Sequence, residues 1–95
     1  MTPPEKYVLR LYVTGLTPRS TRAITTVRDI CETHLQGHYE LEIVDVYQQP
    51  DRISADQIIA TPTLVKFQPA PQRHVVGDMA DRQRLLFGLG LPLER

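Results

Sequence analysis

The 95-residue chain has no tryptophan, and its aromatic residues are four tyrosines and two phenylalanines. It has one cysteine, Cys31, which rules out an internal disulfide and fits a reducing, cytoplasmic setting. It has no net charge: eleven basic side chains balance eleven acidic ones. That balance, with so few aromatics, argues against a nucleic-acid-binding surface. No apolar run approaches the roughly 20 residues of a membrane helix. The stretch from Met1 to Lys6 lacks the basic-then-apolar layout of a signal peptide.

What is present is enough for one small domain spanning residues 1–95. At 41% apolar residues the chain can bury a modest core without metal or disulfide. The charges are unevenly spread. Residues 1–28 hold Lys6, Arg10, Arg19, Arg22 and Arg28 against Glu5. Residues 29–56 hold seven acids against Arg52. This polarity reads either as a device that orients a partner or as a mixed, solvated surface.

Alternation over Tyr7–Val13 predicts a strand, and Thr17-Pro18 is a cap-and-first-turn signal. Ala23, Ile24, Val27, Ile30, Cys31 and Leu35 recur at three- and four-residue spacing, which predicts a helix over 18–35. Gly37 is its stop. Tyr39–Val46 alternates again, so strand, helix and strand form a right-handed parallel crossover. Gln48-Gln49-Pro50-Asp51 reads as a turn. Ser54 with Gln57 has capping-box spacing, and Ile53 with Ile58 has staple spacing, predicting a short helix that Pro62 cuts off. Strands over 63–67 and 73–76 follow, then a helix capped by Asp78 and running to Leu89.

Chemistry is hard to find. Cys31, His34 and His38 have a spacing compatible with zinc, but there is no fourth ligand nearby and Cys31 lies on the apolar stripe. A buried thiol and solvent-facing histidines account for the same pattern. The loop Gly15-Leu16-Thr17-Pro18-Arg19-Ser20 lacks a phosphate-loop pattern. Ala60-Thr61-Pro62-Thr63 resembles the cis-proline loop of thioredoxin-like proteins. An ordinary trans proline ending a helix is the alternative. A thioredoxin-like enzyme needs an activated cysteine after the first strand, and this loop has no sulfur. Cys31 lies too far along the helix to substitute. The residues therefore read as a non-catalytic α/β domain that binds other proteins.

Several segments together resemble the KaiB family of circadian clock proteins: Tyr7 to Gly15, Thr17-Pro18, Arg22-Ala23, Ile43 to Val46, Ile59 to Leu64 and Val76-Gly77-Asp78. The resemblance covers Tyr7 to Leu91. It implies two folds for one sequence: a resting βαββααβ order, as a homo-tetramer or dimer, and a thioredoxin-like βαβαββα order. Only the half after Pro50 differs between them. The thioredoxin-like form of the family docks on the N-terminal ATPase ring of KaiC, competes with the SasA histidine kinase and can recruit KaiA.

Carried over by position, the resemblance implies that Arg22, Lys66, Arg73 and His74 face the KaiC-type partner. His74 stands where the family has an arginine. Tyr7 and Gly88 match positions that shift the fold balance. Gly90 stands where the family has Asp, and Pro62, Pro69 and Pro71 lie in the half that refolds. Glu40 and Glu42 replace a small residue and Lys at positions that meet KaiA, which makes KaiA a doubtful partner. These departures fit a KaiB-like paralogue or a system without KaiA. A degenerate thioredoxin-fold redox protein using Cys31 and a stress-response interaction protein remain as alternatives.

Overall fold

In the computed structural model the described residues are 6–55, 57–58, 60–77 and 79–94, with backbone only at Ile53. The elements are β1 (Tyr7–Val13), α1 (Pro18–His34), β2 (Tyr39–Asp45), α2 (Asp51–Ala55), β3 (Thr63–Gln68), β4 (Arg73–Val76) and α3 (Arg82–Leu89). This is the βαβαββα order, the thioredoxin-like one of the two.

The strands form one sheet in the order β2-β1-β3-β4. β1 runs parallel to β2 and antiparallel to β3, and β4 pairs antiparallel with β3. Side-chain alternation splits β1 between two cores. Leu9, Leu11 and Val13 meet Ala23, Val27, Ile30 and Cys31 of α1 and Leu85, Leu86 and Leu89 of α3. Tyr12 meets Val44, Val46, Ile58 and Val65 in a smaller cluster on the other face.

α1 begins as its sequence predicts. Thr17 is the N-cap, accepting a hydrogen bond from Ser20 N–H, and Pro18 is at the first turn. It ends one residue early, with Leu35 as the cap and Gly37 in the left-handed region at φ 78°. β2 also stops one residue short of Val46. The Asp45 carboxylate accepts from the N–H groups of Gly15 and Tyr47 and turns the chain out of the strand.

Two expectations about helix starts are corrected. α2 begins at Asp51, inside the expected turn, so Ser54 is an interior residue and not a cap. Arg52 explains the earlier start: its side chain reaches Glu42 of β2 and Gln49, tying this turn to the sheet. The Ile53 side chain of the expected staple lies outside the described residues. α3 begins at Arg82, and its cap is Asp81, which accepts from Arg84 N–H. Met79, 1% exposed, plugs into the main core and keeps the chain from winding sooner. Asp78 lies outside the described residues.

Burial separates residues that composition cannot. Leu86 is fully buried and Leu16 is 93% exposed. Leu86→Ala is expected to lower unfolding free energy by about 2–5 kcal/mol. Leu16→Ala is expected to stay within about 0.5 kcal/mol of the parent. Urea unfolding of the two variants checks both.

Candidate protein-binding clefts

At the C-terminal end of β1 the loop into α1 forms a cleft of about 470 Å³ with Thr61 and Pro62 opposite. The Thr61-Pro62 peptide is cis. Hydroxyls fill the base of this cleft. The buried Ser20 Oγ accepts from Thr14 N–H at 3.0 Å and from Thr17 Oγ1 at 2.9 Å. The Thr14 and Thr61 hydroxyls bond across the gap. Thr17 and Ser20 are three residues apart on the first helical turn, the spacing of a Cys-x-x-Cys pair. Hydroxyls at those positions bind and brace; they do not exchange electrons. Arg19 and the exposed Arg22 line the cleft and give it a basic rim.

A second cleft, about 390 Å³, lies at the opposite end of β1. It gathers Tyr7, Lys66, Pro69, Pro71, Arg73, Gly88 and Gly90, which the sequence singled out for two different reasons. Lys66 and Arg73 are cross-strand partners on one sheet face. Lys66 is only 5% exposed and its ammonium lies 6.0 Å from the centre of the Tyr7 ring, whereas Arg73 is exposed. The Tyr7 hydroxyl donates to Leu89 C=O at 3.1 Å, tying β1 to the end of α3. A Cβ built on Gly88 falls 2.4 Å from Val75 Cγ2, so glycine lets α3 lie close against β4. Gly90, at φ 73°, closes the helix. The bonds before Pro69 and Pro71 are cis.

The remaining candidates are not gathered there. Arg22 sits in the first cleft, remote from Lys66 and Arg73. His74, exposed, alternates to the other face of β4 and lies 3.5 Å from Gln72 Nε2. Glu40 and Glu42 lie on the edge strand β2. Lys6 pairs with Glu40 at 2.8 Å. Arg10 and Arg52 both pair with Glu42, at 2.7 and 3.1 Å, and hold its carboxyl below the ordinary range, Arg52 contributing most. The charge polarity read from the sequence is therefore partly cancelled within the fold. Arg10 also lies 4.8 Å above the centre of the Phe67 ring. The sequence reading did not single out Arg10 or Arg52. Strand parity places Arg10 and Glu42 on one face, but only the parallel register sets them side by side.

Cys31 is fully buried within α1, and burial pushes its thiol up to about 12. His34 is not solvent-facing as expected: its ring pairs with Glu94 at 2.8 Å. His38 is exposed. Among the described residues no three His, Cys, Asp or Glu side chains group as metal ligands. No helix among them is long and apolar enough to cross a membrane. Folded protein at pH 8 is expected to resist thiol-labelling reagents, and urea to make Cys31 react at once. Because the folded thiol stays neutral while the unfolded one ionises near 9, stability is expected to fall as pH rises from about 9 to about 12. Alkaline titration of unfolding checks the sign, with Cys31→Ala removing that part of the slope.

The family model for the KaiB domain matches residues 10–91. A circadian clock oscillator protein KaiB from Prochlorococcus marinus is 48% identical over 99% of this chain and 80% of its own. KaiB from Synechococcus elongatus is 46% identical over 96% of this chain and 89% of its own. Among solved structures, the N-terminal domain of Synechococcus elongatus SasA matches with a TM-score of 0.71 at 23% identity, covering 95% of this chain and 89% of that domain. Chloroplastic thioredoxin z matches at 0.74 and 16% identity, over 90% and 77%. The structural likenesses establish a thioredoxin-like fold. The family match and the near-full-length identities establish kinship, and the chain belongs to the KaiB family of circadian clock proteins.

Proposed function

We propose that this chain is a non-catalytic regulator that docks, in its thioredoxin-like form, on the N-terminal ATPase ring of a KaiC-type protein. On that ring it competes with a SasA-type histidine kinase. One observation carries the reading: a chain of KaiB sequence takes the fold of the SasA N-terminal domain. Two proteins of one shape are suited to exclude each other from one surface. Arg22 on the rim of the first cleft and the exposed Arg73 beside buried Lys66 are the contacts we assign to the ring, with His74 next to Arg73 on the other face of β4. A KaiA-type partner is not part of this reading, because Glu40 and Glu42 stand in place of a small residue and Lys on β2 and are engaged by Lys6, Arg10 and Arg52.

The redox alternative gains no support. It needs an accessible thiolate, and Cys31 is buried with a raised pKa.

The test is co-migration on a sizing column with the nucleotide-loaded KaiC-type ring of the same organism. A stable complex is expected, displaced by the isolated SasA-type sensor domain. Arg22→Glu and Arg73→Glu are each expected to weaken binding by about tenfold or more. No complex with any such ring, or full affinity in both variants, overturns the proposal.

The two-order behaviour of the family is part of the same reading. Tyr7 donates to Leu89 only when α3 lies beside β1. Tyr7→Phe is therefore expected to reduce the thioredoxin-like share by about 0.5–1.5 kcal/mol. Backbone resonances of the segment after Pro50 report that share.

A further inference from the structure

A polar cluster outside both clefts joins three parts of the chain. Past Gly90 the chain doubles back along α3, and Leu91 N–H bonds to Leu86 C=O at 2.9 Å. Leu91 packs against the main core. Glu94 then returns to the first turn of α3. Arg82 donates to both oxygens of its carboxylate, from Nε at 2.9 Å and from Nη2 at 2.7 Å. Gln83 grips the Glu94 backbone from both sides: its amide donates to the carbonyl and accepts from the N–H at 3.1 Å.

The cluster reaches beyond α3. His34 Nε2 of α1 lies 2.8 Å from the same Glu94 carboxylate. The other terminal nitrogen of Arg82 bonds to Asp29 of α1. Asp29 and His34 are thus fastened to Arg82 and Glu94, one pair on the helix after β1 and the other at the end of the chain. The geometry is bidentate and each acid is shared or supported, unlike a lone surface pair. The pairing, Arg82 first and His34 second, holds the Glu94 carboxyl down at about 2, so that carboxylate stays ionised in ordinary buffers.

We propose that Leu91–Glu94 is a latch that fastens α3 to α1, with Glu94 as the closing contact, and that unfastening it lets α3 and this segment open as one unit. The apolar contact between α3 and the sheet sets where α3 lies. The latch sets how often it leaves. This stands whether or not the chain has a second order, because it concerns local opening of the structure described.

Amide hydrogen exchange on the full chain at pH 7 tests it, with Glu94→Ala, Arg82→Ala, the double variant and Glu94→Gln as a milder change. Leu16→Ala, a substitution at a 93% exposed side chain outside the latch, is the control. Each of the single alanine variants is expected to speed exchange at Leu86, Leu89 and Leu91 by about three- to tenfold, with Glu94→Gln in the same direction. Leu11 in β1 and Val44 in β2 should stay within about twofold, and the control should match the parent. The double variant should fall well short of the product of the two single effects, since both singles remove the shared Arg82–Glu94 contact while each also removes one of its own, Arg82 to Asp29 or Glu94 to His34. Unchanged exchange in α3, equal acceleration along the whole chain, or independent effects in the double variant would each overturn the latch.

Discussion

The seven residues of β1 hydrogen-bond to β2 along one edge and to β3 along the other. Their side chains alternate into two separate cores, with Leu11 and Tyr12 both fully buried. Everything else is placed by that strand. α1 must cross the face that carries Leu9, Leu11 and Val13, because its own stripe of Ala23, Val27, Ile30 and Cys31 has nowhere else to go. α3 fills what remains of that face. Among the described residues, the opposite face buries Tyr12, Val44, Val46, Ile58 and Val65, a smaller core.

This arrangement puts two clefts at the two ends of one strand. The first is the place where a thioredoxin fold carries out its chemistry, next to a cis proline. Here Thr17 and Ser20 occupy the helix turn and satisfy backbone and hydroxyl groups among themselves. The scaffold is kept with hydroxyls on that turn, beside a basic rim at Arg19 and Arg22. The second cleft collects Tyr7, Gly88 and Gly90 with Lys66 and Arg73. Residues that hold α3 in place are therefore neighbours of residues suited to meet a partner. Under the proposed function, a partner seated in that cleft would touch the elements that place α3 in this order of the fold.

Electrostatics here works by local pairing more than by overall field. The basic first segment and the acidic second one lie side by side because β1 and β2 are parallel neighbours. Lys6 meets Glu40 and Arg10 meets Glu42. Arg52 adds a second cation to Glu42 and fixes α2, a helix too short to hold itself. Part of the polarity visible in the linear sequence thus becomes cross-strand pairing once the chain is folded.

The sequence alone determined the elements that rest on local rules. Alternation marked β1 and β2, the Pro69-Ala70-Pro71 break and Gly77 bounded the two later strands, and Thr17-Pro18 set the start of α1 to the residue, because caps and periodicity act within a few residues. It also determined the absence of sulfur between Gly15 and Ser20 and, through dispersed matching segments, the family. Where several local signals compete it misplaced the start: Ser54 and Asp78 read as caps, but Arg52 reaching Glu42 and Met79 entering the core moved α2 and α3. Only the tertiary structure decided which distant residues meet. The pairing of Arg10 with Glu42 depends on strand register, the gathering of Tyr7, Lys66 and Gly88 depends on where α3 lies, and the clasp of Glu94 on His34 depends on the chain turning back at Gly90. Each joins residues more than twenty positions apart, and contacts of that separation are set by packing, which no short stretch of sequence encodes.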